Sequence, residues 1–489
     1  MNNGDIDYAY ALKLLTKINA LVVNGREIQE YFIYEGYNFW QAYQTEIFVY
    51  AKHFSADSQK TLSRLKQNTR SSFSFLLLLF FISLAAFVLA YVRKVSMIMY
   101  SVDKYPQGRY RCDFRLEALY EAASKEGVSS VEMLYAPSGH SLLKNLKLRG
   151  RVALYTTGID FIFAYVYFWV KKKDPILQNG KWGTEAFTAE ERVFVEDLVA
   201  ALEFQFTFVP YRIRWMRWLL RALNIQQAFL IDDAWHYFEF LVATEQNGIR
   251  SSAIQHGHFT KYHVGMFPCA PRVSGKHIKP TELFVWTEYW KSELKRLGSY
   301  MPQASVIVAG SKGGKPKKIV TVESKKGIGV LIPYETDVPK HTMRMYVQEL
   351  LNSPEIFIYF KPRPDLDLNE QLAQYGITRD MARVQVCESI QEFQSRIGVA
   401  LGTYTTLLYD MIGYHIPVIL ATDVLDYGEG MIVNGLAELV VSPSQLVPTL
   451  RRASKTDLQV LNNRVEKLYG TTSRTLVLTL RDSIARLHT

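Results

Sequence analysis

Cysteine is scarce: Cys112, Cys269 and Cys387 are the only three in 489 residues. They are too few and too scattered for a disulfide framework or a cysteine metal cluster, so a reducing compartment fits best. Acidic residues are the minority charge, 47 Asp and Glu against 57 Lys and Arg, giving a formal charge of +10. That excess favours anionic partners such as phosphates, nucleic acid or anionic lipid. No zinc-finger spacing, RNA-binding signature or arginine-rich block accompanies it, so nucleic acid is not the expected partner. Low-complexity tracts are missing as well. With 48% hydrophobic residues and a mean hydropathy of −0.05 the chain is globular. Its length suits two or three domains of ~100 to 200 residues.

Long uncharged runs are also rare, which makes residues 73–92 (FSFLLLLFFISLAAFVLAYV) conspicuous. These 20 residues have the length that crosses a ~30 Å hydrocarbon core as a helix. The run lies too far from the N-terminus for a cleavable signal peptide. A transmembrane or membrane-inserted helix is therefore expected. Lys60, Arg64, Lys66 and Arg70 precede it while Arg93, Lys94 and Lys104 follow, so flanking charge gives no orientation. A second apolar stretch, 152–170, contains Gly158 and Asp160. An ionisable group in mid-membrane is costly, and a strand entering a membrane-facing element is the expectation there.

Residues 1–72 show apolar residues at helical spacing and predict a helical N-terminal region without a catalytic signature. From Val95 onward short β-like runs alternate with helical stretches, the pattern of a parallel α/β sheet. Runs at 95–100, 131–135, 228–231, 252–255, 283–286 and 305–309 place one α/β domain over 95–310. The Gly-, Lys- and Ser-rich piece 311–327 reads as a linker. Runs at 328–332, 356–360, 384–387, 397–401, 418–420 and 439–441 place a second α/β domain over 328–455. One long C-terminal helix is predicted within 456–489, packing back across the first domain.

Three strand ends carry polar or cationic motifs, and in open α/β sheets ligands bind at the carboxyl ends of strands. Gln255-His256-Gly257-His258 ends the run from Ser252; the glycine permits a tight turn with close backbone approach. His263 follows on the same loop, but no carboxylate or cysteine at ligand spacing makes these histidines a zinc site. Lys361-Pro362-Arg363-Pro364 ends the run from Ile356. Two cations held between prolines form a fixed anion site; a solvated charged turn is the plainer alternative. Gly402-Thr403-Tyr404-Thr405-Thr406 precedes a helix. Backbone N–H groups and threonine hydroxyls at a helix N-terminus bind phosphate, although an ordinary threonine N-cap has the same pattern. Asp232-Asp233 closes the run AFLI, where Asp233 could act as a general base or cap the following helix. The loop 423–430 could close over a ligand or be a simple turn.

In order and spacing these elements resemble the GT-B superfamily of glycosyltransferases, and within it bacterial surface-polysaccharide (capsule and lipopolysaccharide) enzymes with a Gln-His-Gly motif. The resemblance covers roughly residues 95–489. It is carried by Ile254 to His258, Val285 to Trp290 with Leu297-Gly298, Ala309 to Ser311, Lys361 to Pro364, Gly402 to Asp410, and Ile416 to Ile419. It implies two Rossmann-like domains facing a cleft, preceded by the helical region and one membrane helix. It implies a nucleotide-sugar donor held by Lys361, Arg363, Thr405, Thr406 and Asp410, the last on a ribose hydroxyl. The acceptor would be a glycan or lipid-linked precursor met by Gln255 and His258, with Asp233 and His256 catalytic. No metal and no cofactor are implied, because cations and a helix N-terminus neutralise the leaving diphosphate. Cytosolic donors place the catalytic domains on the cytoplasmic side of the inner membrane. Arg363 departs from the resemblance, which has histidine there more often; arginine binds phosphate but does not transfer a proton. A phosphotransferase using CDP-linked polyols, a nucleotide-sugar epimerase and a non-catalytic scaffold of a polysaccharide assembly complex share enough of the pattern to stay open.

Overall fold

The computed structural model describes residues 7–67, 73–102, 106, 108–135, 142–156, 177, 181–183, 185–231, 238–267, 274–310, 327–336, 338, 340–363, 366–379, 381–421, 428–470 and 475–486. The N-terminal region opens with α1 (Tyr8–Asn19), capped by Asp7, whose carboxylate accepts the Tyr10 N–H at 2.8 Å. Two tight hairpins follow, β1 (Val22–Val23) with β2 (Arg26–Glu27) and β3 (Ile33–Tyr34) with β4 (Tyr37–Asn38). They interrupt the predicted helical stretch because Asn24-Gly25 and Glu35-Gly36 both take positive φ, from 47° to 82°, the geometry of two-residue hairpin turns. Then come α2 (Phe39–Ala56) and α3 (Ser58–Gln67). Between α1 and α2 a buried network satisfies its own polar groups: the Trp40 indole donates to Asn19 at 2.8 Å, and Asn19 and Gln44 exchange amide bonds at 2.7 and 2.8 Å.

The apolar run forms α4 (Phe73–Val92), followed by β5 (Met97–Val102), α5 (Glu117–Lys125), β6 (Ser130–Tyr135), α6 (Leu142–Arg149) and β7 (Leu154–Tyr155). One stripe of α4, Leu76, Leu79, Ser83, Ala86 and Ala90, is buried, at the 3–4 spacing of a helix face. The Ser83 hydroxyl accepts the Tyr155 N–H at 2.8 Å and donates to Leu79 O at 2.7 Å, fastening the helix to β7. The opposite face, with Leu77, Leu78, Phe81, Leu84, Val88 and Leu89, is exposed. The apolar stretch after β7, at 157–176, lies outside the described residues.

The first domain continues through α7 (Ala189–Phe206), α8 (Val209–Ala222), β8 (Gln227–Ile231), α9 (Phe238–Gln246), β9 (Arg250–Ile254), β10 (Glu282–Val285), α10 (Glu288–Arg296) and β11 (Val306–Val308). Its seven strands lie parallel in the order β11-β10-β9-β8-β5-β6-β7. β8 is buried along its whole length, as expected of a strand covered by helices on both faces. The N-terminal region docks on this domain: Glu191 of α7 accepts from the Lys17 ammonium at 2.9 Å and the Tyr10 hydroxyl at 3.0 Å.

The second domain runs β12 (Ile328–Pro333), α11 (Lys340–Leu351), β13 (Ile356–Lys361), α12 (Leu368–Gln374), β14 (Val384–Val386), β15 (Val399–Gly402), α13 (Thr406–Gly413), β16 (Val418–Ala421), α14 (Glu429–Val433), β17 (Ala437–Val440) and α15 (Pro443–Ala453). Six parallel strands are ordered β14-β13-β12-β15-β16-β17. The order of strands across the sheet reverses between β12 and β15, as it does between β5 and β8 in the first sheet, and such switch points open a crevice at the strand ends. The linker 311–326 lies outside the described residues. Where one long C-terminal helix is predicted, the chain forms α16 (Leu458–Tyr469) and α17 (Leu476–Ala485), parted at Gly470 with φ +63°. α16 packs beside α13 and α10, while α17 returns to α5 of the first domain.

Candidate functional site

β9 delivers the Gln255 to His258 turn to the gap between the sheets. Gln255 is buried: its amide oxygen accepts the Trp286 N–H at 2.9 Å and its NH2 donates to Gly257 O at 2.7 Å. The side chain thus pins the turn to the end of β10. His256 stands half-buried directly after it. His258 is buried and crosses the gap, its Nδ1 lying 3.3 Å from the Thr406 hydroxyl on α13. A Cβ on Gly257 would come within 4.0 Å of the same hydroxyl, so the whole turn faces the second domain.

Aromatic rings line this meeting point. His258 lies 6.1 Å from Tyr404 and 5.9 Å from Tyr409, and Tyr409 packs 4.8 Å from Trp290 of α10. Deeper along the interface Asn434 donates to Glu293 of α10 at 2.9 Å. Gly430 allows that approach, since a Cβ there would sit 2.7 Å from the Glu293 carboxylate. The loop after His258 is backed by the N-terminal helices. Tyr262 packs on Tyr8 at 5.1 Å and stacks on Phe48 at 6.1 Å, and Gly265 sits under Thr45. The region without a catalytic signature therefore buttresses the site loop. Asp232 and Asp233, which follow β8 in the sequence, lie outside the described residues.

On the other side, Lys361 ends β13 half-buried, its ammonium donating to Pro362 O at 3.2 Å. Arg363 is exposed, but its backbone is held on both sides by the buried Gln371, which accepts the Arg363 N–H at 2.8 Å and donates to Arg363 O at 3.0 Å. Burial pushes the Tyr334 phenol up, and the charge of Arg363 opposes that shift, so the guanidinium acts toward the end of β12. Asp410 lies one turn beyond Thr406 on α13, on the same face. Its side chain is exposed, and desolvation by the groups around it pushes the carboxyl up to about 6.

The turn before α13 departs from what its sequence implies. The N–H groups of Thr403, Tyr404 and Thr405 are donated to one buried carboxylate, that of Glu335, at 2.8, 2.8 and 2.7 Å. Glu335 lies two residues beyond β12, so the amides of this turn are satisfied from within the chain. Burial raises the Glu335 carboxyl above the ordinary glutamate range, and the three N–H groups oppose the rise. Neither Glu335 nor Gln371 belongs to a recognisable motif. The available signal for Glu335 is an acidic residue placed two positions after the apolar run Ile328–Pro333.

Asp365-Leu366-Asp367, immediately after the cationic turn, has the Asp-x-Asp form associated with metal-dependent donors. Asp367 serves as the N-cap of α12, accepting the Glu370 N–H at 2.9 Å; Asp365 lies outside the described residues. Among the described residues no three His, Cys, Asp or Glu side chains gather as a metal site.

No family model matches the chain, and no curated protein matches its sequence. Among solved structures it is similar to a lipopolysaccharide outer core galactosyltransferase in its apo form, with 12% identity, TM-score 0.42, and coverage of 80% of this chain and 99% of that one. It is also similar to a calicheamicin glycosyltransferase, with 11% identity, TM-score 0.44, and coverage of 81% and 98%. A UDP-GlcNAc 2-epimerase from Neisseria meningitidis, bound to UDP-GlcNAc, gives 12% identity, TM-score 0.44, and coverage of 80% and 99%. Similarity at this level assigns no activity.

Proposed function

We propose that the chain is a membrane-associated, metal-independent glycosyltransferase that moves a sugar from a nucleotide-sugar donor to a surface polysaccharide or lipid-linked glycan. In this reading it works at the cytoplasmic face of the inner membrane, singly or within a polysaccharide assembly complex. The observation that carries the reading is the 3.3 Å approach of His258 to Thr406. It brings a strand-end motif of one sheet against a strand-end motif of the other, so both belong to one cleft. His256 and Asp233 are assigned catalysis on the acceptor side, with Gln255 holding their turn. Lys361 and Arg363 supply positive charge for the leaving diphosphate, where a fixed cation acts as the transition state builds charge. Thr405, Thr406 and Asp410 complete the donor side. The exposed apolar face of α4 supports membrane association, because lipid would remove it from water.

The filled turn before α13 favours a second reading, a non-catalytic scaffold on the same fold, since an anion site already occupied by a carboxylate has less need of a ligand. Thermal shift with UDP, CMP, CDP and GDP separates the two. A nucleotide at a hundred times its dissociation constant stabilises the protein by about 2.7 kcal/mol, so at least one should raise the melting temperature clearly. His256→Ala and Lys361→Ala should abolish glycan extension at unchanged protein levels. No shift with any nucleotide, together with normal extension in both variants, would sink the enzyme reading and leave the scaffold.

A further inference from the structure

We infer that Glu335 is a built-in occupant of the anion-binding turn in the second sheet, a positioning residue that stands where a ligand phosphate would otherwise bind. Topology comes first: Glu335 lies two residues beyond β12 and residues 403–405 follow β15, the two strands flanking the reversal of strand order in the sheet. A carboxylate taking three consecutive N–H groups at a helix N-terminus satisfies the donors a phosphate would use, with the helix dipole favouring its charge. Glu335 is 2% exposed, and its own N–H donates to the buried Tyr375 hydroxyl at 3.1 Å. Moving it out would strand all three amides and break that anchor.

Two consequences follow. The turn is preset, so Thr406 reaches His258 whether or not a ligand is bound. An anionic ligand is directed away from the backbone amides and toward side chains: Thr405 and Thr406 on one flank, Lys361 and Arg363 on the other. The second consequence rests on the nucleotide-sugar reading, whereas the first stands without it.

Amide exchange of peptides covering 403–405, followed by mass spectrometry on the full chain, tests the inference. In the wild type these amides should exchange slowly, unaffected by inorganic phosphate or UDP. Glu335→Ala should speed their exchange about tenfold, the loss expected from removing a charge-assisted hydrogen bond, and inorganic phosphate should slow it again. Glu335→Gln, which keeps the shape and an acceptor oxygen, should fall between and serves if the alanine variant does not fold. Wild-type exchange rates in both variants overturn the inference, as does extra protection of the wild-type amides by phosphate or UDP. If no nucleotide binds at all, the donor reading fails while the phosphate arm still decides the role of Glu335.

Discussion

Asp410 shows how one residue carries information the sequence motif did not. The resemblance assigns it a ribose hydroxyl, a task for an ionised carboxylate, but desolvation by the groups around it raises its carboxyl to about 6. A folded-state value above the unfolded one of about 3.9 means the native fold binds this proton more tightly than the unfolded chain does. The stability this contributes is fully present below about pH 4 and is lost as pH rises through about 6. Asp410→Asn removes the titration, so melting curves from pH 4 to pH 7 should show the wild type losing stability relative to the variant across that window. Parallel curves would show that the group titrates normally. Glu335 carries no such motif: an isolated acidic residue after a strand becomes meaningful only where three amides from a loop nearly 70 positions later converge on it.

At the scale of elements, the strands were the most legible part. Runs such as 356–360 and Val418–Ala421 are continuously apolar because parallel strands are covered on both faces, and the structure has strands at each run that the sequence marks. Hairpins within the N-terminal region were lost under the helical periodicity around them, although Asn24-Gly25 is a strong turn signal. The sequence predicts one long last helix because a single glycine, Gly470, is tolerated in a helical pattern and its positive φ is not visible there. For α4, length and composition could not reveal that one face is bonded to β7. Beside that helix, Phe87 stacks on Trp218 of α8 at 5.4 Å, and Trp218 is exposed between Arg214 and Arg221. Tryptophan and arginine beside an apolar stripe suit a bilayer interface. Replacing Phe81 and Val88 by serine should release the protein from membranes in sedimentation while changing stability by only about 0.5 kcal/mol. Ser83→Ala should do the reverse, keeping the membrane association while costing about 1–3 kcal/mol for a stranded Tyr155 N–H. Sedimentation unchanged by the double serine variant would remove this face as the anchor.

Across the whole molecule, the two domains are joined by more than the cleft and the linker. After α16 packs against the second domain, the chain returns to the first. There the Thr479 hydroxyl donates to Ala309 O at 2.9 Å, Gln227 donates to Ser483 at 3.1 Å, and Arg481 pairs with Glu126 at 2.6 Å. Leu480 and Ile484 are completely buried beside α5. The C-terminal helix is thus part of the first domain's core although every residue of the second domain precedes it. The first domain is then complete only when α17 has closed over it. Leu480→Ala should cost about 2–5 kcal/mol, as for other buried leucines. The loss should appear as faster amide exchange in 117–125 of the first domain, with 328–333 of the second unchanged. Faster exchange confined to 328–333 would assign the helix to the second domain.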